Sequence, residues 1–531
     1  LGLSILGLHQ VDGSLVAFTV NEASQGGTDL NGDGDAVDLV QHLFDASTGI
    51  VTNLGIATSP FFASQLDGDS LAFVVSESAE GNTDLNGDGD VFDHVPHVYD
   101  VSSGITHNLE LALGGGTPQL VGNLLAFQVR ESWQASTDLN GDGDVLDLIL
   151  HVHDIGSGST DNLGLQPGFG VSMSEDLVAF GVKENGLGVD LNADGDINDT
   201  VSHVYITSTG TTVNLAIAGA TPLVDGTVAA WKVSETGQGS TDLNGDGDTH
   251  DIVWHVYDTV SGTTTNLGLA TNPFQEALQD GRLAFFVLEN QQGNADLNGD
   301  GDATDQVLHV YDANTQTINN FGLAAFSVVF NGSLAAVRVT ESGQGGVDLN
   351  GDGDTNDLIV HVVDVVNNTA VNVGLTVFSL SSRIENGRLA FSVSETGEGK
   401  DLNGDGDVSD RVLFAYDAST GTAANLRLAT SFSGFSLSGN HLSVGVNEAS
   451  QGNEDLNGDA DTDDSVMHLV RLSSPLSNVP VIESVDVGAE LKSMTIQLNE
   501  TDLDEALATD VANYRVRTSG GDGNGDGDLF N

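Results

Sequence analysis

The sequence predicts an all-β fold, and three observations carry that prediction. Apolar residues make up 39% of the 531 and fall in short runs such as Leu71-Ala72-Phe73-Val74-Val75, with no helical periodicity around them. Gly is frequent (67) and Pro rare (8), the balance that many tight turns between strands require. An Asp-rich motif, DLNGDGD or a near copy, begins at Asp29, Asp84, Asp138, Asp190, Asp242, Asp296, Asp348, Asp401 and Asp455, at intervals of 52–55 residues. A period this regular marks one supersecondary unit per repeat, stacked on its neighbours.

The second repeat shows the elements in order. Ser70-Leu71-Ala72-Phe73-Val74-Val75 reads as a strand that runs out at Glu77, and the Asp-rich loop spans Asp84 to Asp93. His94-Val95-Pro96-His97-Val98-Tyr99-Asp100 alternates as a strand does, and Ser102-Ser103-Gly104 turns the chain. Asn108-Leu109-Glu110-Leu111-Ala112 is a further short strand, and a fourth, near Gln119-Leu120-Val121, leads through Gly122-Asn123 into the next unit. Four short antiparallel strands in a unit of this length predict a propeller blade, and nine copies predict a nine-bladed β-propeller over residues 1–472. A parallel β-helix turns over in far fewer residues.

The same strands carry a resemblance. Gly281-Arg282-Leu283-Ala284-Phe285, followed by His309-Val310-Tyr311-Asp312, resembles the TolB-type bacterial β-propeller repeat, and the likeness extends over about residues 1–472. The long acidic loop between the second and third strands departs from that pattern. It resembles the calcium loops of integrin-type propellers (FG-GAP repeats), with its last Asp one residue later. Together the resemblances imply propeller blades carrying calcium.

The ends suggest how the blades close. An "NLGLA" strand recurs from Asn53, Asn108, Asn162, Asn214, Asn266, Asn320, Asn372 and Asn425, and the ninth repeat has none, since Ser473-Ser474-Pro475 follows Arg471. The chain opens with Leu1-Gly2-Leu3, the end of just such a strand. The N-terminus is therefore expected to supply the missing outer strand of the last blade, removing two exposed edges. Residues 476–531 read differently: Val485-Asp486-Val487-Gly488, Met494-Thr495-Ile496-Gln497-Leu498 and Ala512-Asn513-Tyr514-Arg515-Val516 resemble the first half of a bacterial surface-protein Ig-like domain, incomplete at this length.

The loop carries the chemistry. In the first repeat Asp29, Asn31, Asp33, Asp35 and Asp38 occupy positions 1, 3, 5, 7 and 10, with Gly34 at position 6. Alternate oxygen-bearing side chains on a tightly curled loop point inward, as in the first half of an EF-hand. Hard carboxylate and amide oxygens, without thiolate or His, select Ca²⁺. The second and third repeats offer Asp84, Asn86, Asp88, Asp90 and Asp93, then Asp138, Asn140, Asp142, Asp144 and Asp147. The fourth and fifth offer Asp190, Asn192, Asp194, Asp196 and Asp199, then Asp242, Asn244, Asp246, Asp248 and Asp251. The sixth and seventh offer Asp296, Asn298, Asp300, Asp302 and Asp305, then Asp348, Asn350, Asp352, Asp354 and Asp357. The eighth and ninth offer Asp401, Asn403, Asp405, Asp407 and Asp410, then Asp455, Asn457, Asp459, Asp461 and Asp464.

The loop is not an EF-hand, because position 12 is Val or Ile in every copy, from Val40 to Val466, and begins a strand. The Asp at position 10 is the expected bidentate ligand. A Glu precedes each loop by six or seven residues: Glu22, Glu77, Glu131, Glu184, Glu235, Glu289, Glu341, Glu395 and Glu448. Ending the incoming strand, it should face position 10 across the hairpin stem and add another oxygen. These five carboxylates in each of nine repeats make 45 of the 78 acids, in a chain of net charge −64. Five like charges in one hairpin repel strongly without a cation, so about nine or more Ca²⁺ per chain are expected.

Two further residue classes read as packing. A His lies thirteen residues after position 1 in eight repeats (His42, His97, His151, His203, His255, His309, His361 and His468), and Phe414 replaces it in the eighth. Substitution by Phe speaks for packing over a catalytic ring. Trp231 stands at a core strand position shared with Phe18 and Phe73, whereas Trp133 lies before a loop, where it could stack on a sugar.

Net charge −64 with only 14 Lys and Arg excludes a nucleic-acid backbone as partner, and no run of about 18 apolar residues is present for membrane insertion. Cysteine is absent, so disulfides play no part. The expected function is an extracellular or cell-surface structural or adhesive module rigidified by calcium, not an enzyme, with glycans or further copies of itself as partners. The alternative is a calcium-dependent glycan-binding protein, or a polysaccharide lyase or hydrolase.

Overall fold

In the computed structural model, residues 2–6, 9–168, 170–219, 221–271, 275–380, 384–472, 481–485 and 494–497 are described. The chain forms two compact units, residues 1–243 with 248–268, and residues 244–247 with 269–531. The all-β expectation holds: both units are built from four-stranded antiparallel meanders.

In the first meander, β1 (Gln10–Asp12) pairs with β2 (Leu15–Asn21), β2 with β3 (Leu39–Asp45), and β3 with β4 (Ile50–Ala57). The register of β2 on β3 runs from Leu15 opposite Asp45 to Asn21 opposite Leu39, so the Asp-rich loop closes the far end of this hairpin. The pattern recurs within the first unit over residues 65–108, 113–162 and 172–218. In the second unit the fourth strand of one meander runs on as the first of the next. Thr317–Asn331 pairs with Gln306–Asp312 on one side and with Leu334–Thr340 on the other.

The central two strands are buried on both faces, which explains their nearly unbroken apolar runs. Along Ser70–Ser76, Leu71, Phe73 and Val75 pack with Ala17 and Leu43 of the preceding meander. Ala72 and Val74, on the other face, pack with Leu125, Phe127 and Val129 of the following one. The second unit repeats the arrangement, with Ala284 and Phe286 against Ala335, Val337 and Val339. Period-two alternation here selects which neighbour a side chain meets, and both choices are dry. No helix is long and apolar enough to cross a membrane among the described residues.

The last meander departs from the expected closure. Ser465–Arg471 is flanked by Val481–Val485, with Arg471 opposite Val481 and His468 opposite Ser484, and Met494–Gln497 adds a further strand. The sequence reading gave both of these segments to an Ig-like domain and this strand position to Leu1-Gly2-Leu3. A partner ten residues away closes a much smaller loop than one more than 460 residues away, and loop closure is correspondingly easier. The N-terminal segment lies beside β2: Ile5 bridges Val20, and the Ser4 N–H donates to Gln25 Oε1. Thr58 and Ala57 make the same pair of contacts with Val75 and Glu80, and Gly2 shares the positive φ of Gly55 (70° and 66°). The N-terminus thus meets the first meander as the end of one meander's outer strand meets the next. The remainder of the expected Ig-like region lies outside the described residues.

The histidines pack as expected. Each is buried, its Nδ1–H donating to the carbonyl two residues back, as His42 does to Val40 at 3.0 Å. Phe18 stacks on His42, Phe73 on His97 and Phe180 on His203, and Phe391 stacks on Phe414 in the same register. Burial pushes His97, His255 and His309 down to about 4. A base whose folded pKa is depressed leaves the unfolded chain holding more protons between the two values. Its contribution is therefore intact above about 6.5 and is lost as pH falls from there toward 4. The His309→Phe variant should regain about 1–2 kcal/mol relative to wild type at pH 5, and little at pH 8. Chemical denaturation at the two pH values measures it, and equal differences at both would reject the buried neutral imidazole.

Candidate metal centre

Each loop is clamped by the Glu before it. Glu22 is fully buried; its Oε1 accepts the Leu30 N–H at position 2, and its Oε2 accepts the Asp38 N–H at 3.0 Å. Its own N–H donates to the Asp38 carbonyl at 3.0 Å. The Glu and position 10 therefore face each other across the stem, as the sequence predicted. The two carboxylate bonds recur at Glu77, Glu131, Glu184 and Glu235. They recur again at Glu289, Glu341, Glu395 and Glu448. Where the Glu stands only six residues before the loop, at Glu184 and Glu395, a single helical turn takes up the shorter spacing.

Inside the loop the odd positions turn the backbone. Asp29 accepts from Gly32 N and Gly34 N, Asn31 from Asp33 N, Asp33 from Asp35 N, and Asp35 from Val37 N. The outer strand contributes Asn53, whose Nδ2 donates to the Leu30 carbonyl at 2.9 Å, and its counterparts do the same through Asn425. Position 6 has φ of 106° at Gly34 and 107° at Gly353, a conformation that favours glycine. Ala460 is held at φ 79° there, and Ala193 at 63° at position 4 of the fourth loop, a second departure that the sequence reading passed over.

The carboxylates converge. One oxygen each from Glu22, Asp35 and Asp38 lie within 4.8 Å of one another, and so do those of Glu77, Asp90 and Asp93. The third to fifth repeats bring together Glu131, Asp144 and Asp147, then Glu184, Asp196 and Asp199, then Glu235, Asp248 and Asp251. Burial, reinforced by the neighbouring carboxylates of Asp35, Asp33 and Glu22, pushes Asp38 up to about 7. Asp93, Asp199, Asp305, Asp357 and Asp410 rise to about 6 for the same reasons. Asp38 Oδ2 and Asp410 Oδ2 are buried without a hydrogen-bond partner. A buried carboxylate oxygen left alone among other carboxylates is strongly disfavoured, and a hard cation is what would satisfy it.

A contact that sequence reasoning missed joins several of the loops to the next repeat. Asn31 Nδ2 donates to the Ala79 carbonyl, Asn86 to Trp133, Asn192 to Gly237, Asn298 to Gly343 and Asn403 to Ser450, at 2.7–3.5 Å. Asp33 Oδ2 accepts the Gly81 N–H at 3.0 Å, and Asp300 that of Gly345 at 3.1 Å. The signal was present in the sequence: position 3 is Asn in every copy, where an oxygen ligand alone would admit Asp equally well. Trp231 is fully buried, as expected of core, and Trp133 is part-exposed with the Arg130 guanidinium 5.0 Å from its ring.

No family model matches the chain, and no curated protein matches it. Its neighbours among solved structures are β-propeller domains and propeller-related proteins. The β-propeller domain of the Trilobed protease from Pyrococcus furiosus is 10% identical, with a TM-score of 0.30 over 70% of this chain and 97% of that one. TolB from Acinetobacter baumannii is 10% identical, with a TM-score of 0.22 over 68% of this chain and 77% of that one. The acylaminoacyl peptidase of Pyrococcus horikoshii is 10% identical, with a TM-score of 0.28 over 74% of this chain and 58% of that one. The expectation that the chain is not an enzyme is withdrawn on this finding, because peptidases stand among the neighbours; a propeller domain alone does not show catalysis.

The inter-repeat bond gives a direct test. Replacing Asn403 by Asp keeps the oxygen that accepts from Asp405 N but loses the donor to Ser450, at a cost of about 1–3 kcal/mol. Amide exchange in residues 448–453 should accelerate while that of the 388–394 strand stays slow. Unchanged exchange in 448–453 would show that the bond contributes nothing to docking.

Proposed function

We infer that the chain is an extracellular calcium-binding module of structural or adhesive use, a nine-bladed propeller with one calcium loop per blade. The carrying observation is the convergence of a Glu and two Asp in each of the first five loops, with the buried, unpartnered oxygens of Asp38 and Asp410. Positions 1, 3, 5 and 10 would supply side-chain oxygens, as Asp29, Asn31, Asp33 and Asp38 do in the first repeat. Position 7 would add its carbonyl or carboxylate, and the clamped Glu would add charge while fixing the loop. Bound Ca²⁺ supplies neutralisation and rigidity. Extracellular modules bind Ca²⁺ at about 10⁻⁴–10⁻³ M, which suits a site that is filled outside cells. Glycans or further copies of the chain are the partners in this reading.

Elemental analysis after dialysis against millimolar calcium should return nine Ca²⁺ per chain, and five or fewer would reject the loops as ion sites. In excess chelator the clustered carboxylates lose their counter-charge and the stabilisation that ligand binding adds by mass action. Melting temperature should fall and protease cleavage rise. An unchanged melt refutes the structural role.

The ninth loop should be the weakest. Relieving the Ala460 backbone with Ala460→Gly is expected to stabilise the loop by about 1 kcal/mol, raising the affinity of one ion roughly fivefold. A calcium titration that resolves the weakest site would show the shift, and an identical curve for the variant would remove the backbone explanation.

A further inference from the structure

Several loops are tied to the segment that leads into the next one. Asn31 Nδ2 donates to the Ala79 carbonyl at 3.2 Å, and Asp33 Oδ2 accepts the Gly81 N–H at 3.0 Å. Ala79 and Gly81 lie between Glu77 and Asp84, the clamp and the first position of the second loop. In the second unit Asn298 and Asp300 hold the Gly343 carbonyl and the Gly345 N–H, ahead of the seventh loop, in the same way. On the calcium reading, from which this step proceeds, we propose that loops tied in this way bind Ca²⁺ cooperatively, and that the coupling is interrupted before the fourth loop.

The physical route is short. Asn at position 3 and Asp at position 5 would each turn one oxygen to the ion and the other end of the side chain to the next repeat. An ion that fixes Asn31 and Asp33 therefore also fixes the partners of Ala79 and Gly81, and the lead-in to the second loop is ordered before that loop takes its own ion. Entropy already lost in filling the first loop is not lost again in filling the second, which is positive coupling, and linkage makes it reciprocal.

The interruption follows from the spacing of the clamp. With Glu seven residues ahead of its loop, the lead-in presses on the preceding loop. A Cβ on Gly81 would lie 3.1 Å from Asp33 Cβ, one on Gly345 3.2 Å from Asp300 Cβ, and one on Gly452 3.1 Å from Asp405 Cβ. Glu184 stands six residues ahead and continues into a helical turn, and the equivalent Gly188 has nothing within 4 Å of a Cβ position. Asn140 of the third loop keeps its amide inside that loop, on Asp142 and Asp147 at 3.3 and 2.9 Å. Before the eighth loop, where Glu395 has the same short spacing, Gly399 is equally open. There Asn350 donates to the Thr376 hydroxyl at 2.9 Å, which stands between it and the Gly397 carbonyl. Filling a loop also removes charge that attracts an ion to its neighbour, an opposing effect screened beyond about 8 Å at physiological ionic strength. The third and fourth loops feel that effect without the bonds, which makes them the internal control.

Hydrogen–deuterium exchange of the full chain over a calcium series reads the loops one by one, residues 77–93 reporting the second and residues 184–199 the fourth. Asp38→Asn, which removes a ligand charge from the first loop, should raise the calcium midpoint of the second at least about fivefold. Asp147→Asn, the same change in the third loop, should leave the midpoint of the fourth where it was. Asn31→Asp retains an oxygen at position 3 and loses the donor to Ala79, so it should shift the second loop while calcium still protects the first. Slow exchange of the distant strand Arg282–Leu288 in every variant confirms folding. An unmoved second loop in Asp38→Asn, or a fourth loop that shifts as far in Asp147→Asn, would overturn the coupling while calcium-dependent protection of the loops leaves the calcium reading standing. Loops that gain no protection from calcium in the wild-type chain would overturn both.

Discussion

The structure depends on one buried carboxylate per repeat. Glu22 and its eight counterparts are fully buried, which an ionised group tolerates only when both oxygens are well hydrogen-bonded. The partners are backbone N–H groups at positions 2 and 10 of the loop, so the side chain holds together two points of the loop that lie eight residues apart. This clamp forces the remaining acids into a small volume, where they repel one another. The upward shifts of Asp38 and Asp93 are the record of that repulsion added to burial. Under the calcium reading, this gathering of carboxylates is what a cation would neutralise.

The clamp also explains why the meanders stack as they do. The hairpin end it closes is where one repeat touches the next, through Asn at position 3 and Asp at position 5. A second contact runs in the opposite direction: Gln134 Oε1 accepts from Ala112 N of the preceding outer strand, as Gln451 does from Ala429 N. Apolar burial between sheets is non-directional and would tolerate sliding. These polar bonds fix the register at the rim, while Leu71, Phe73 and Val75 and their counterparts supply the burial.

Much of this was legible in the sequence because repetition averages out local ambiguity. The hairpin, its loop and the Glu facing position 10 could be placed from spacing, since two residues that end paired strands must lie opposite each other. What the Glu bonds to could not be read, because a bond to backbone N–H leaves no mark on the partner's side chain. Asn at position 3 carried a second role that only the neighbouring repeat reveals. The strand beside Ser465–Arg471 was misassigned because a motif match at Leu1-Gly2-Leu3 says nothing about the entropy of bringing distant ends together.

Position along the chain then gives otherwise equivalent loops different surroundings. The Asp at position 10 is buried in the first, second, fifth and eighth loops, whereas Asp464 in the ninth is exposed. Asn457 Nδ2 donates to Asp459 and Asp464 of its own loop, as Asn140 Nδ2 does to Asp142 and Asp147 in the third. Ala460 adds a Cβ in left-handed backbone at the same place. Burial and backbone strain are independent quantities, and both point the same way. Under the calcium reading, a graded set of affinities follows from these different surroundings, with no change in the ligand residues themselves. Under that reading the ninth loop would lose its ion first as calcium falls, and the sequence difference behind it is a single methyl group.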